Sequence, residues 1–344
     1  MNFNPLDPVE FRIDSKKIRY IQTTSKLSSK VPLTLTKLHT RIRLFSSEEA
    51  KDLADIIQKR NVFSRHSWEN SFYVSRVLDL SNKTVIEILH SENPDHGAVE
   101  SQKIVEIIQN VALLSSSFAS SRKEFQRLLG IEPYRNNEFN LAIGDNYRFI
   151  RSKSKTVPKI KGISVDEKFH RRFFRCGFHK LTYFCLSSSN LANRLISTIN
   201  WLAKSREEPL LPAALIKTSI ALESLLGFGG REPFAKSLAE RAAFLLSSNA
   251  ITRKQVSHIF KVFYNERSRT VHGSKITVSS QLTEGVDRLT IMLCLIIAAN
   301  SNRWKMEADL REWCENMKWG KTEDLIFPFP TSYLNNALKL VNQL

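Results

Sequence analysis

The side chains best suited to chemistry lie within one short run, KVFYNERSRTVHG, Lys261 to Gly273, where Arg267 precedes His272 by five positions. A histidine can take the proton from an RNA 2′-hydroxyl, and an arginine can stabilise the charge that develops on the phosphate oxygens during strand cleavage. That chemistry needs no metal. His39, His66, His90, His96, His170 and His179 show no ligand spacing with cysteines or carboxylates, so neither a metal site nor a cofactor is expected. A second Arg-x4-His match, Arg253 to His258, starts the same predicted helix and reads as solvated surface that at most touches a substrate phosphate.

The elements that must position the pair are helices. From about Ser187 the pattern becomes amphipathic, beginning with Asn190 to Lys204, where Leu191, Leu195, Ile196, Ile199 and Leu202 share one side. Pro209 and Pro212 then open a helix over Ala213 to Leu226, closed by Gly227. Further helices are expected over Pro233 to Leu246, from a Thr252 cap to Gly273, and over Ser279 to Ala299 with Leu282, Val286, Leu289, Leu293 and Ile296 on one face. Five helices with short links describe a bundle.

Two charges interrupt the apolar stripes of that bundle. Val256, Phe260, Phe263, Arg267 and Val271 recur at spacings of four, three, four and four, and Ile216, Ile220, Glu223 and Gly227 at four, three and four. A lone inward charge loses its hydration without compensation, so Glu223 is expected to pair with Arg267 across two neighbouring helices. A continuous helix would turn His272 about 140° away from Arg267. A helix ending at Gly273 instead frees the imidazole to turn toward the same cleft.

The run from Tyr264 through Arg267, Ser268, Val271, His272 and Gly273, together with the upstream IALESLLG of Ile220 to Gly227, resembles the HEPN superfamily and most closely its Apea-like branch, over about 187–300. Ser268 stands where many active members have Asn, Asp or His, and Thr270 where an apolar residue is usual. The resemblance implies an all-α HEPN-type bundle and a metal-independent endoribonuclease, or a degraded relative serving as a non-catalytic dimerisation or RNA- or nucleotide-binding module. It implies a homodimer in which two Arg-x4-His pairs line one cleft, with Arg267 and His272 catalytic and Glu223, Tyr264 and Ser268 supporting. It also implies a prokaryotic defence or toxin setting, with an antitoxin or defence-system protein as partner.

Composition bounds the rest. Fifty-one Lys and Arg against 34 Asp and Glu give a net charge of +17, which favours RNA or another polyanion as partner. The excess is thickest from Arg148 to Lys180, where aromatics interleave with basic residues; Arg171, Arg172 and Arg175 there, with Lys261 and Arg269, are candidate substrate-binding cations. The competing reading of that segment is a solvated strand or hairpin whose aromatics face a core. Residues 1–185 mix helical spacing (Glu48 to Lys59, Ala98 to Leu129) with strand alternation (Leu33 to Ile42, Phe139 to Ile143), giving an N-terminal α+β domain of unknown role, suited to target or trigger sensing. Residues 186–344 form the helical domain with a C-terminal helical extension. Cys176, Cys185, Cys294 and Cys314 show no CxxC pairing, and neither a signal segment nor a bilayer-spanning run is evident, so a cytoplasmic protein with reduced thiols and no membrane partner is expected.

Overall fold

The computed structural model describes residues 18–24, 27–29, 33–37, 40–45, 47–61, 84–90, 94–129, 131–143, 149–160, 163–228, 234–273, 277–320 and 324–341. The chain divides into two units, one of residues 1–106 and 128–170, the other of residues 107–127 and 171–344.

In the first unit, β1 (Ile18–Thr24), β3 (Leu33–Lys37), β4 (Thr40–Phe45), β5 (Thr84–His90), β6 (Ile131–Ile143) and β7 (Phe149–Ile160) form a sheet in the order β3-β4-β5-β1-β6-β7. Neighbours run antiparallel, with Ile18 opposite His90 and Arg19 opposite Ile143. The prolines fit the ladder, since proline cannot donate to it: Pro158 lies on the edge strand β7, and Pro133 falls in the irregularity between Glu132 and Arg135. The run Leu33 to Ile42, expected as one strand, is two paired strands. A short parallel pair joins β2 (Leu27–Ser29) to β8 (Ile163–Val165). Helix α1 (Ser47–Asn61) buries Ala50, Leu53 and Ala54.

The second unit is a helical bundle. It takes the later part of α2 (Pro94–Ala119), most of α3 (Arg122–Leu129) and much of α4 (Glu167–Arg175), then α5 (Phe178–Cys185), α6 (Asn190–Glu207), α7 (Leu211–Leu226), α8 (Phe234–Leu246), α9 (Ala250–Val271), α10 (Ser280–Ala299), α11 (Glu307–Lys318) and α12 (Thr331–Val341). At the centre lies α10, which touches α5, α6, α7, α8, α9 and α12. Its sequence suggests one apolar face, but Ile291, Met292, Cys294, Leu295 and Ile297 are buried as well as the expected stripe, as befits a helix surrounded by others. At Gly285 a side chain has no room: a β-carbon would lie 2.4 Å from Val341 Cγ2 on α12. All four cysteines are free and buried. Among the described residues no helix is long and apolar enough to cross a membrane.

The helical unit begins earlier than the expected 186, and the segment Arg148 to Lys180 departs from the strand or hairpin expected across it. From Glu167 onward it is helix, and Phe169, Phe173 and Phe178 are core residues with under about 3% of their surface exposed, leaving Phe174 as the exposed ring. Spacing of four between Phe169 and Phe173 is a helical repeat that the dense charge obscures. Arg148 lies outside the described residues.

A charge network recruits residues 107–127. Asp287 on α10 is fully buried and accepts from Arg122 Nη1 at 2.9 Å and from Thr218 Oγ1 on α7 at 2.5 Å; Arg206 Nη1 on α6 lies 3.6 Å away. Arg206 Nη2 donates to Ser117 O and Ser120 O at 3.0 and 3.2 Å, and Arg122 also reaches Ser205 O. Removing one partner of such a buried group strands the other charges, at about 3–5 kcal/mol. Asp287→Ala is therefore expected to lower the unfolding free energy by that amount in urea titration; a loss below about 1 kcal/mol, the level of an exposed pair, would show that the network is not holding the bundle.

Candidate functional site

Helix α7 carries Glu223 three residues before its last helical residue, and that end is firmly held. Arg241 Nη1 donates to Leu226 O at 3.0 Å, and Arg194 Nη2 to Gly227 O at 2.7 Å. Both guanidiniums also lie against the Phe228 ring, at 4.9 and 5.2 Å from its centroid. Cations at the carbonyl end of a helix satisfy its open acceptors and its dipole together.

Helix α9 supplies the other half. It starts one turn earlier than expected, because Asn249 rather than Thr252 is the cap: its Oδ1 accepts from the amides of Ile251 and Thr252. Val256, Ile259, Phe260, Phe263 and Tyr264 form the buried face, and Arg267 follows at the next position of that stripe. The helix ends at Val271. His272 is its C-cap, with its backbone N–H donating to Ser268 O at 3.0 Å, and Gly273 follows at φ +70°, a conformation that glycine adopts without strain. A β-carbon at Gly273 would meet nothing within 4 Å among the described residues, so the backbone angle and not crowding calls for glycine there.

The expected pairing across the two helices is present, with Arg267 Nη2 lying 3.7 Å from Glu223 Oε1. The two side chains are 34% and 27% exposed, so they sit at the lip of a cleft and not in the core. That cleft, of about 400 Å³, is lined by Glu223, Ala235, Tyr264, Asn265, Arg267 and Ser268. Burial raises the Glu223 carboxyl above its ordinary value, with Arg267 acting in the opposite sense. Burial likewise pushes up the Tyr264 phenol, reinforced by the charge of Glu223. Arg267 Nε is buried and meets no acceptor among the described residues, and 3.7 Å is an ion-pair distance too long for a hydrogen bond. The part-exposed guanidinium thus keeps its Nη donors for an incoming oxyanion, the buried Nε being out of a ligand's reach.

Comparison with protein-family models, with curated proteins and with solved structures yields no match to this chain. The site therefore rests on its own geometry.

Of the residues singled out from sequence, Glu223, Tyr264, Arg267 and Ser268 line one cleft. His272 is exposed at the end of α9 and is not among the lining residues. Arg269 is exposed and lies 3.9 Å from Glu266 on its own helix. Lys261 lines a different groove, and Arg171, Arg172 and Arg175 on α4 line neither. Asn265 and Ala235 were not anticipated. Asn265 follows Tyr264 directly, and an exposed amide beside an inward arginine was the signal available.

Because Arg267 draws the Glu223 carboxyl down against the rise caused by burial, Arg267→Ala should send it further up. A titration of Glu223 followed by NMR is expected to show a midpoint above the ordinary carboxylate value in the wild type and a higher one in the variant. Stability should change little, by less than about 1 kcal/mol, since the pair is a third exposed. A midpoint unmoved by the substitution would mean that the two side chains do not meet in solution.

Proposed function

We propose that the chain is a metal-independent endoribonuclease of the HEPN type, Apea-like, acting in the cytoplasm as a homodimer. The observation that carries this reading is the Arg267 guanidinium, held beside Glu223 at a cleft mouth with donors unspent, on the helix that ends in His272. In this reading His272 takes the 2′-hydroxyl proton as the 2′-oxygen bonds to the adjacent phosphorus. The bond from phosphorus to the 5′-oxygen breaks, that oxygen takes up a proton from solvent, and Arg267 stabilises the charge on the phosphate oxygens. Glu223 orients Arg267, while Tyr264 and Ser268 shape the pocket and offer hydroxyls. The net charge of +17 suits a polyanionic substrate. A homodimer that brings two α9 ends together lets the histidine of each copy reach a shared cleft. The strands and helices of the first unit serve, in the same proposal, as an α+β domain for target or trigger sensing, and a defence or toxin setting with an antitoxin or other restraining partner follows from the family resemblance.

One observation favours a second reading, a non-catalytic dimerisation or RNA-binding module: His272 does not line the cleft of a single chain. The two readings separate on cleavage. Purified protein incubated with total and transfer RNA in EDTA should cut RNA, and His272→Ala and Arg267→Ala should each slow cutting by about 100-fold or more while the fold survives. Binding without cleavage, or cleavage indifferent to His272, would remove the catalytic assignment.

A further inference from the structure

A second groove, of about 280 Å³, runs between α8 and α9 about two to four turns before Arg267. Its lining includes Arg253, Lys254, His258 and Lys261 from α9 and Glu240 and Phe244 from α8. We propose that this groove grips the phosphodiester backbone of a single-stranded RNA that continues along α9 into the Arg267 cleft. The identity of the strand rests on the ribonuclease reading above; the groove as a site for anions does not.

Three observations carry it. First, the cations lack ion-paired carboxylates among the described residues. Arg253, Lys254 and Lys261 form no ion pair among the described residues, and Glu240, the carboxylate in the lining, lies 4.0 Å from Lys236 Nζ on its own helix. Elsewhere in the same unit Arg122, Arg194, Arg241, Arg267 and Arg288 all have carboxylates within 4.0 Å.

Second, Arg253 is held in place. Its Nε donates to Ser247 O at 2.7 Å, and its guanidinium lies 5.1 Å from the Phe244 ring centroid. Its Nη atoms meet no acceptor among the described residues, so a fixed fork of donors opens on the groove.

Third, the two grooves lie on one line. Lys254, His258, Lys261, Asn265, Ser268 and His272 recur at spacings of four, three, four, three and four, so they share one face of α9, and all six are exposed. The first three line the groove and the next two line the Arg267 cleft. From Lys254 to Ser268 the stripe covers about 20 Å without a carboxylate. A strand several nucleotides long fits that span, with basic side chains on its phosphates at one end and the cleaving pair at the other. The second Arg-x4-His match of the sequence, Arg253 to His258, thereby becomes a substrate grip and not a second catalytic pair.

The test is the affinity of a labelled single-stranded RNA of mixed sequence, measured by fluorescence anisotropy across a range of salt, with all proteins carrying His272→Ala so that the probe stays intact. Replacing Lys254 and Lys261 by alanine should weaken binding about tenfold at low salt and flatten the slope of log affinity against log salt by about 1.4, the contribution of two single-strand phosphate contacts. Replacing Lys305 and Lys339, exposed elsewhere in the same unit, removes the same charge and should leave the slope close to that of the parent. Equal losses from both double variants, an unchanged slope in the groove variant, or no RNA affinity in the parent would overturn the proposal. Competition by AMP as effective as that of a longer unlabelled strand would reduce the groove to an isolated phosphate pocket and overturn the track. A groove-dependent affinity in a protein that never cuts RNA would keep the groove and remove the nuclease; His272-dependent cutting with an untouched affinity would do the reverse.

Discussion

Asp287 faces two guanidiniums in the interior of the helical unit, and the orientation of the candidate site follows from how that charge is satisfied. Its carboxylate accepts from Arg122 and Thr218 and lies beside Arg206, so one side chain on α10 joins α3, α6 and α7. Buried carboxylates impose a geometry that apolar contacts do not, because every oxygen must find its donors. Thr218 must therefore point at α10. Glu223, five residues further along α7, is then turned about 140° away, toward the side where α9 packs. The guanidiniums of Arg194 and Arg241 on the last carbonyls of α7 fix the same helix at its other end.

Two of the ion-paired sites of this unit differ in a way that separates structure from chemistry. Around Asp287 the charges are almost wholly buried, their donors reach backbone carbonyls as well as the carboxylate, and loss of one leaves the others stranded. Glu223 and Arg267 are a third exposed and 3.7 Å apart, an arrangement worth little to stability. An arginine placed on an apolar stripe, buried at Nε yet only loosely paired at Nη2, is poorly explained as a strut. It is better explained as a group whose Nη donors stay available to a ligand at the cleft mouth.

Much of this site is legible in the sequence because helices announce themselves through spacing. The stripe from Val256 to Val271 locates α9 and marks Arg267 as an intruder, and the stripe from Ile216 to Gly227 does the same for Glu223; both positions prove to face one cleft. What spacing conceals is long-range pairing. Asp287 is one of several polar residues in the first half of α10, and nothing local says that Arg122, 165 positions earlier, is its partner. For that reason residues 107–127 escape assignment to the helical unit. Charge misleads in another place: the lysines and arginines between Arg148 and Lys180 suggest an open surface, whereas the rings of Phe169, Phe173 and Phe178 are consumed by cores. The groove along α9 lies between these cases, since its residues are visible as a motif while the absence of counterions among the described residues becomes evident only from the packing of α8 beside it.

If His272 draws its proton from the ribose 2′-hydroxyl, the chemistry of the substrate decides the matter more directly than any change to the protein. The decisive measurement compares cleavage of one RNA strand with that of the same sequence methylated at every 2′-oxygen, with the end groups read by mass spectrometry. Attack by the 2′-hydroxyl predicts cleavage of the unmodified strand to 2′,3′-cyclic phosphate ends and an intact methylated strand. Cutting of both strands, or ends bearing a 5′-phosphate and a 3′-hydroxyl, would contradict it.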